Sequence, residues 1–141
     1  MPGATERMAS IYLDSCLVIY LVERHPRFSG PLRVRIATSG DAVFSVSALT
    51  RLEVLSRPLR EGDQALVERF ESFLGSMRML PIDDTVMNTA LDWRVAGLKT
   101  PDALHVALAK HGGCTAFWTN DNRLGKAAPQ WSENVFEGLA L

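Results

Sequence analysis

The stretch Thr100-Pro101-Asp102-Ala103-Leu104-His105-Val106-Ala107-Leu108-Ala109-Lys110-His111-Gly112-Gly113-Cys114-Thr115-Ala116-Phe117-Trp118-Thr119-Asn120-Asp121 reads as a helix, a turn and a strand that ends on an acid. Pro101 suits the first turn of a helix, where its missing N–H would have no partner anyway. Gly112-Gly113 after His111 stops the helix. Residues 115–118, apolar from Ala116 onward, form the strand. Working outward, the same pattern recurs. Strands are predicted at about 10–14, 42–46, 77–82 and 134–136. Helices are predicted at 15–24, closed by His25-Pro26, and at 31–38, closed by Ser39-Gly40. A third runs from a Ser47 cap to about Ser56, ahead of Pro58. A fourth, 64–74, carries Leu66, Val67, Phe70, Phe73 and Leu74 at helical spacing and closes at Gly75. A fifth spans 84–96 and ends at Gly97, and a short helical turn lies around 123–125. Strands alternating with helices over the whole length imply an α/β fold with a mostly parallel sheet covered on both faces.

Four acids stand out on this frame. Asp14 ends the apolar run 11–13, Asp121 follows the strand at 115–118, Asp102 opens its helix, and Glu53 lies inside the third helix. In a parallel sheet, the carboxyl ends of the strands and the helix N-termini share one edge, and ligands bind there. Taken singly, Asp14 and Asp121 also read as helix caps, and Asp102 as an anion favoured by the helix dipole. Glu53 shares a face with Leu49 beside a stripe of Ala48, Leu52 and Leu55, where an acid needs a partner or a metal. Its other reading is a solvated ion pair with Arg57, four residues on. Asp102 shares a face with Val106 and Ala109, which turns its carboxylate toward the sheet. Asp83-Asp84 also follows a strand and is read as the cap and first turn of the next helix.

Composition narrows the classes. The chain has 141 residues with 47% hydrophobic and 22% charged, enough to build a core. A formal net charge of −1 speaks against non-specific coating of DNA, although a local basic patch is compatible with it. Cys16 and Cys114 form no CxxC pair and lie in apolar runs, as buried, reduced thiols of a cytoplasmic protein would. Residues 11–22 are too short, and too interrupted by Asp14, to span a bilayer, and no secretory signal is evident. Residues 1–9 are expected to be a flexible leader, with Met8 an alternative start, and residues 10–141 a single domain.

Leu13-Asp14-Ser15, Leu52-Glu53-Val54, Thr100-Pro101-Asp102-Ala103-Leu104-His105-Val106-Ala107 and Thr119-Asn120-Asp121-Asn122-Arg123-Leu124 resemble the signatures of the PIN-domain ribonucleases. The nearest resemblance is to the VapC-type toxins of bacterial toxin–antitoxin pairs, and it extends from about residue 10 to the C-terminus. It implies a three-layer α/β/α sandwich in which Asp14, Glu53, Asp102 and Asp121 are the catalytic, metal-binding acids. Ser15 matches the family's small hydroxyl after the first acid, and Thr119 its hydroxyl before the last. Cys16 departs from the family, which favours a small polar or aliphatic residue there.

Oxygen ligands without a His/Cys cluster select Mg²⁺ or Mn²⁺ over zinc. The resemblance implies endonucleolytic RNA cleavage by a metal-activated water, leaving a 5′-phosphate and a 3′-hydroxyl. It also implies a cognate antitoxin and a homodimer. Asp14 and Asp102 are expected to be the closest ligands, Ser15 and Thr119 to orient a carboxylate or a metal-bound water, and Asn120 to do the same or serve as a turn residue. Arg51, Arg57, Lys99, Arg123 and Lys126 are candidates to hold RNA phosphates. His105 is expected to pack within its helix rather than act at the site. Trp118 is read as core, while Trp93 and Trp131 are candidates to stack bases. The alternative function is a catalytically silent module of the same fold that binds RNA or protein. A phosphoacceptor receiver domain fits poorly, because Asp14 lacks an acidic neighbour and Asn120-Asp121 stands where a Lys would be needed.

Overall fold

Side chains that alternate along each strand build two apolar cores, one on each face of one sheet. The computed structural model describes residues 9–122 and 132–137. Its elements are β1 (Ser10–Leu13), α1 (Ser15–Val22), α2 (Ser29–Ala37), β2 (Val43–Ser47), α3 (Ala48–Glu61), α4 (Gln64–Gly75), β3 (Arg78–Leu80), α5 (Asp84–Val95), α6 (Thr100–His111), β4 (Ala116–Thr119) and β5 (Ser132–Asn134). Residues 1–8 of the expected leader, including Met8, lie outside the described residues, as do the turn at 123–125, Trp131, Arg123 and Lys126.

All strand pairs are parallel, in the order β3-β2-β1-β4-β5. Ile11 and Leu13 of β1 join Leu17, Leu21, Leu32, Val54, Val67 and Phe70 in the core beneath α1–α4. Tyr12 faces the opposite way and joins Phe117, Ala103, Val106 and Ala107 beneath α5 and α6. The result is the expected three-layer α/β/α sandwich. Trp118 is buried in the first core, as its strand position predicts. β1 sits at the centre, and the chain reverses its direction of sheet growth between β1 and β4. Such a switch point opens a crevice at the carboxyl ends of the two strands.

Several boundaries differ from expectation. α3 continues through Pro58 to Glu61 instead of stopping near Ser56. A proline this late forfeits one backbone hydrogen bond, its ring is buried, and Gly62 at φ 70° closes the helix in the left-handed region. The buried face of α3 is Leu49, Thr50, Val54, Leu55 and Pro58, and Leu52 is 66% exposed rather than part of the stripe. The reciprocal capping box of Ser47 and Thr50 sets this rotation by burying Thr50. α1 ends at Val22 rather than Arg24, which takes φ 54°. β5 ends at Asn134, whose side-chain oxygen accepts from Phe136 N–H and turns the chain.

No helix among the described residues is long and apolar enough to cross a membrane. Asp83 caps α5 as expected, accepting from Val86 N–H at 2.8 Å. Asp83→Ala is therefore expected to cost about 0.5–2 kcal/mol in a urea melt and to leave the carboxylate site intact.

Candidate active site

Asp14 follows β1 directly and caps α1, with its Oδ1 accepting from Ser15 N–H at 2.8 Å. Its Oδ2 accepts from Thr119 Oγ1 at 2.7 Å, across the switch point at the end of β4. The same hydroxyl oxygen accepts from Asp121 N–H at 2.9 Å, so Thr119 ties the side chain of one acid to the backbone of another. A carboxylate offers about four lone-pair positions. Asp14 uses two of them and keeps its side chain 15% exposed.

Glu53 reaches the same edge from α3. Ser15 Oγ donates to its Oε1 at 2.7 Å, and His105 Nε2 lies 2.6 Å from the same oxygen. Its Oε2 receives no hydrogen bond among the described residues. Burial alone would raise the Glu53 pKa, but the hydrogen bond and charge of His105 and the Ser15 hydrogen bond outweigh it, and the carboxyl is held below its usual range. The alternative reading of Glu53, an ion pair with Arg57, does not form. Arg57 instead bonds Glu23 at 2.8 Å and Glu61 at 3.3 Å, because α1 supplies a partner across the packing interface.

Asp102 lies in the first turn of α6, half-buried. His105 is three residues later on the same face. It is 2% exposed, touches Glu53, and lies 3.4 Å from Ser15 Oγ and 4.0 Å from Asp14 Oδ1. The start of α6 thus sits at the edge that carries Asp14 and Glu53. Asp121 is half-buried just past β4.

His105 is packed within its helix, as expected, but it is also part of the carboxylate cluster, which the sequence reading left it out of. Its position one turn after an acid assigned to the sheet-facing side was the available signal. Tyr12 is the second unforeseen member. Its hydroxyl, with a pKa pushed up by burial, lies 2.5 Å from His105 Nδ1 and 2.8 Å from Ser47 Oγ.

The remaining candidates are placed less centrally. The Asn120 amide donates to Tyr20 Oη at 3.1 Å, which points that group at the aromatic cluster of Tyr20, His25 and Phe28 rather than at an acid. Arg51 forms a two-pronged pair with Glu71 at 3.0 and 2.8 Å on the exposed side of α3. Lys99 is exposed at the N-cap of α6, three residues from Asp102. Trp93 is half-buried beneath Lys110, whose Nζ lies 5.7 Å from the ring.

Burial, reinforced by the charge of Asp14, pushes the Cys16 thiol up to about 12, and burial likewise raises Cys114. Both should resist a thiol reagent at pH 8 in the folded protein and react in urea, because the thiolate is the reactive form. Rapid native labelling of Cys16 would contradict this packing.

Among the described residues, no three His, Cys, Asp or Glu side chains converge into a ready-made metal cage. Mg²⁺ needs only one or two carboxylates and keeps several waters, so the fit rests on Asp14 and Glu53 individually. Among the described residues, Asp14 keeps lone pairs and Glu53 keeps Oε2 without a hydrogen bond, and their anchors are hydroxyl, amide and imidazole groups rather than Lys or Arg.

The PIN-domain family profile matches residues 11–129. Ribonuclease VapC46 of Mycobacterium tuberculosis is 34% identical over 123 residues, covering 86% of this chain and 92% of that protein. Ribonuclease VapC35 of the same organism is 30% identical over 122 residues, covering 84% and 89%. Among solved structures, VapBC2 from Rickettsia felis bound to a promoter DNA fragment aligns with a TM-score of 0.75 at 12% identity, covering 89% of this chain and 98% of that one. M. tuberculosis VapC20, described as a sarcin-ricin loop cleaving toxin, aligns at 0.68 with 18% identity, covering 84% and 95%. The chain belongs to the PIN-domain family, in its VapC-type ribonuclease group.

Proposed function

We propose that this protein is a Mg²⁺- or Mn²⁺-dependent endoribonuclease, the toxin of a toxin–antitoxin pair, acting in the cytoplasm. The observation that carries the proposal is the pair of Asp14 and Glu53 beside the β1/β4 switch point, linked through Ser15, whose N–H donates to Asp14 and whose hydroxyl donates to Glu53. Its relatives' name as ribonucleases and its neighbours' status as toxin–antitoxin complexes support the substrate and the partner.

In this reading Asp14 and Asp102 are the nearest ligands, and Glu53 and Asp121 complete the pocket. The cation these residues would hold would supply an acidified water and withdraw charge from a phosphodiester oxygen. Thr119 keeps Asp14 Oδ2 in place, and Ser15 anchors Glu53 while its N–H holds Asp14 Oδ1. No side chain serves as the nucleophile. Lys99 stands beside Asp102 to take an RNA phosphate. Arg51 can exchange Glu71 for a phosphate, since an exposed pair is worth only about 0–1 kcal/mol. Arg123 and Lys126 complete the proposed phosphate contacts.

Purified protein should cleave structured RNA with Mg²⁺ or Mn²⁺, leaving 5′-phosphates, and lose this activity in EDTA. Undiminished cleavage in EDTA would sink the proposal. Metal and RNA binding with no turnover under any condition would favour the silent binding module. The proposal includes self-association, motivated by exposed Met87, Leu91 and Val95 on α5. Light scattering that reads one chain per particle would remove the homodimer.

A further inference from the structure

The Glu53 carboxylate is aimed by a buried chain of hydrogen bonds. Thr50 N–H donates to Ser47 Oγ at 3.3 Å, Ser47 Oγ lies 2.8 Å from Tyr12 Oη, and Tyr12 Oη lies 2.5 Å from His105 Nδ1. His105 Nε2 is 2.6 Å from Glu53 Oε1. An ionised carboxylate can only accept, so Nε2 carries the hydrogen. With the ring neutral, Nδ1 accepts from Tyr12 and Tyr12 from Ser47; with it charged, Nδ1 donates to Tyr12 and Tyr12 to Ser47. In both forms Nε2 donates to Glu53 and every link is satisfied.

The path leaves α3 at Thr50, passes Ser47 at the end of β2, Tyr12 of β1 and His105 of α6, and returns to α3 at Glu53. Ser47, Thr50 and Tyr12 are fully buried, so water cannot substitute for a missing link. Ser15 and His105 both take Oε1, and among the described residues Oε2 stays open to a cation.

We infer that His105 is a positioning residue for the reaction: held by Tyr12 and Ser47, it clamps Glu53 Oε1 and so presents Oε2 to the metal. The inference rests on the reading of the four acids as a metal site. Groups that orient a metal ligand from behind typically contribute about 10–100-fold to metal affinity or activity.

The test uses His105→Asn, which keeps a polar group near the Nδ1 position but loses the donor to Glu53. His105→Gln places an amide N–H near the Nε2 position. Mn²⁺ affinity, read by electron paramagnetic resonance of the free ion, is measured beside kcat and KM on RNA at saturating Mg²⁺. His105→Asn should weaken Mn²⁺ binding and lower kcat by about 10–100-fold with KM for RNA little changed. His105→Gln should recover most of both. In a Glu53→Gln background, His105→Asn should weaken Mn²⁺ binding no further. Equal losses in the Asn and Gln variants would overturn the inference, as would a full additional loss in the Glu53→Gln background. Should His105→Asn fail to fold, Tyr12→Phe carries the same test, with a smaller loss that also vanishes beside Glu53→Gln. If Asp14→Asn and Glu53→Gln themselves bind Mn²⁺ and cleave RNA normally, the metal-site reading falls instead.

Discussion

Asp14→Asn is expected to lower metal-dependent RNA cleavage by more than about 100-fold, beyond what loss of a supporting group behind a ligand costs. The substitution removes the charge while changing almost nothing else. Asn caps a helix about as well as Asp, so its Oδ1 still accepts from Ser15 N–H and α1 keeps its start. The amide nitrogen takes the place of Oδ2 and turns toward the Thr119 hydroxyl, which then accepts. Thermal melting within a few degrees of wild type, together with loss of cleavage, separates a ligand role from a capping role. If Asp14 were only a cap, melting and cleavage would both stay near wild type. RNA end-mapping at fixed Mg²⁺ is the measurement.

Phe117→Ala is expected to give the largest loss of stability, about 3–5 kcal/mol. Phe117 is fully buried on β4, its ring 5.2 Å from that of Tyr12, in the core beneath α5 and α6. Domains of this kind are stable by only about 5–15 kcal/mol, so the loss removes a large share of the total. Removing the ring also takes away the wall against which Tyr12 aims its hydroxyl at His105. Phe117→Leu, which conserves much of the volume, should cost less than about 1.5 kcal/mol. Urea midpoints of the two variants measure the difference. Near-equal midpoints would mean that the core repacks around the missing ring.

The frame and the rim were legible because they rest on local signals. Gly and Pro mark element ends, apolar alternation marks strands, and acids placed after strands mark the carboxyl edge. Asp14, Thr119 and Ser15 could be found this way because each is adjacent to an element end. What could not be read was pairing over long sequence separation. Glu53 and His105 are 52 residues apart, and Tyr12 and His105 are 93 apart, so no spacing rule connects them. The nearby Arg57 was the obvious partner for Glu53, yet tertiary packing gave it Glu23 of α1 instead. Leu52 illustrates a related failure. A helical stripe defines a face only to within one residue, and the Ser47–Thr50 capping box turned α3 so that Leu52 faces water. Asn120 was placed correctly beside the acids along the chain, but its amide found the Tyr20 hydroxyl on α1.

In the proposed site, acids from four separate segments converge on a divalent cation at the end of β1. A crystal soaked in Mn²⁺ and measured at a wavelength where manganese scatters anomalously tests it most directly. An anomalous peak is expected within direct coordination distance of an Asp14 carboxylate oxygen, with Glu53 Oε2, Asp102 and Asp121 facing it directly or through water. A peak elsewhere on the molecule, or none at the rim at saturating Mn²⁺, would contradict it.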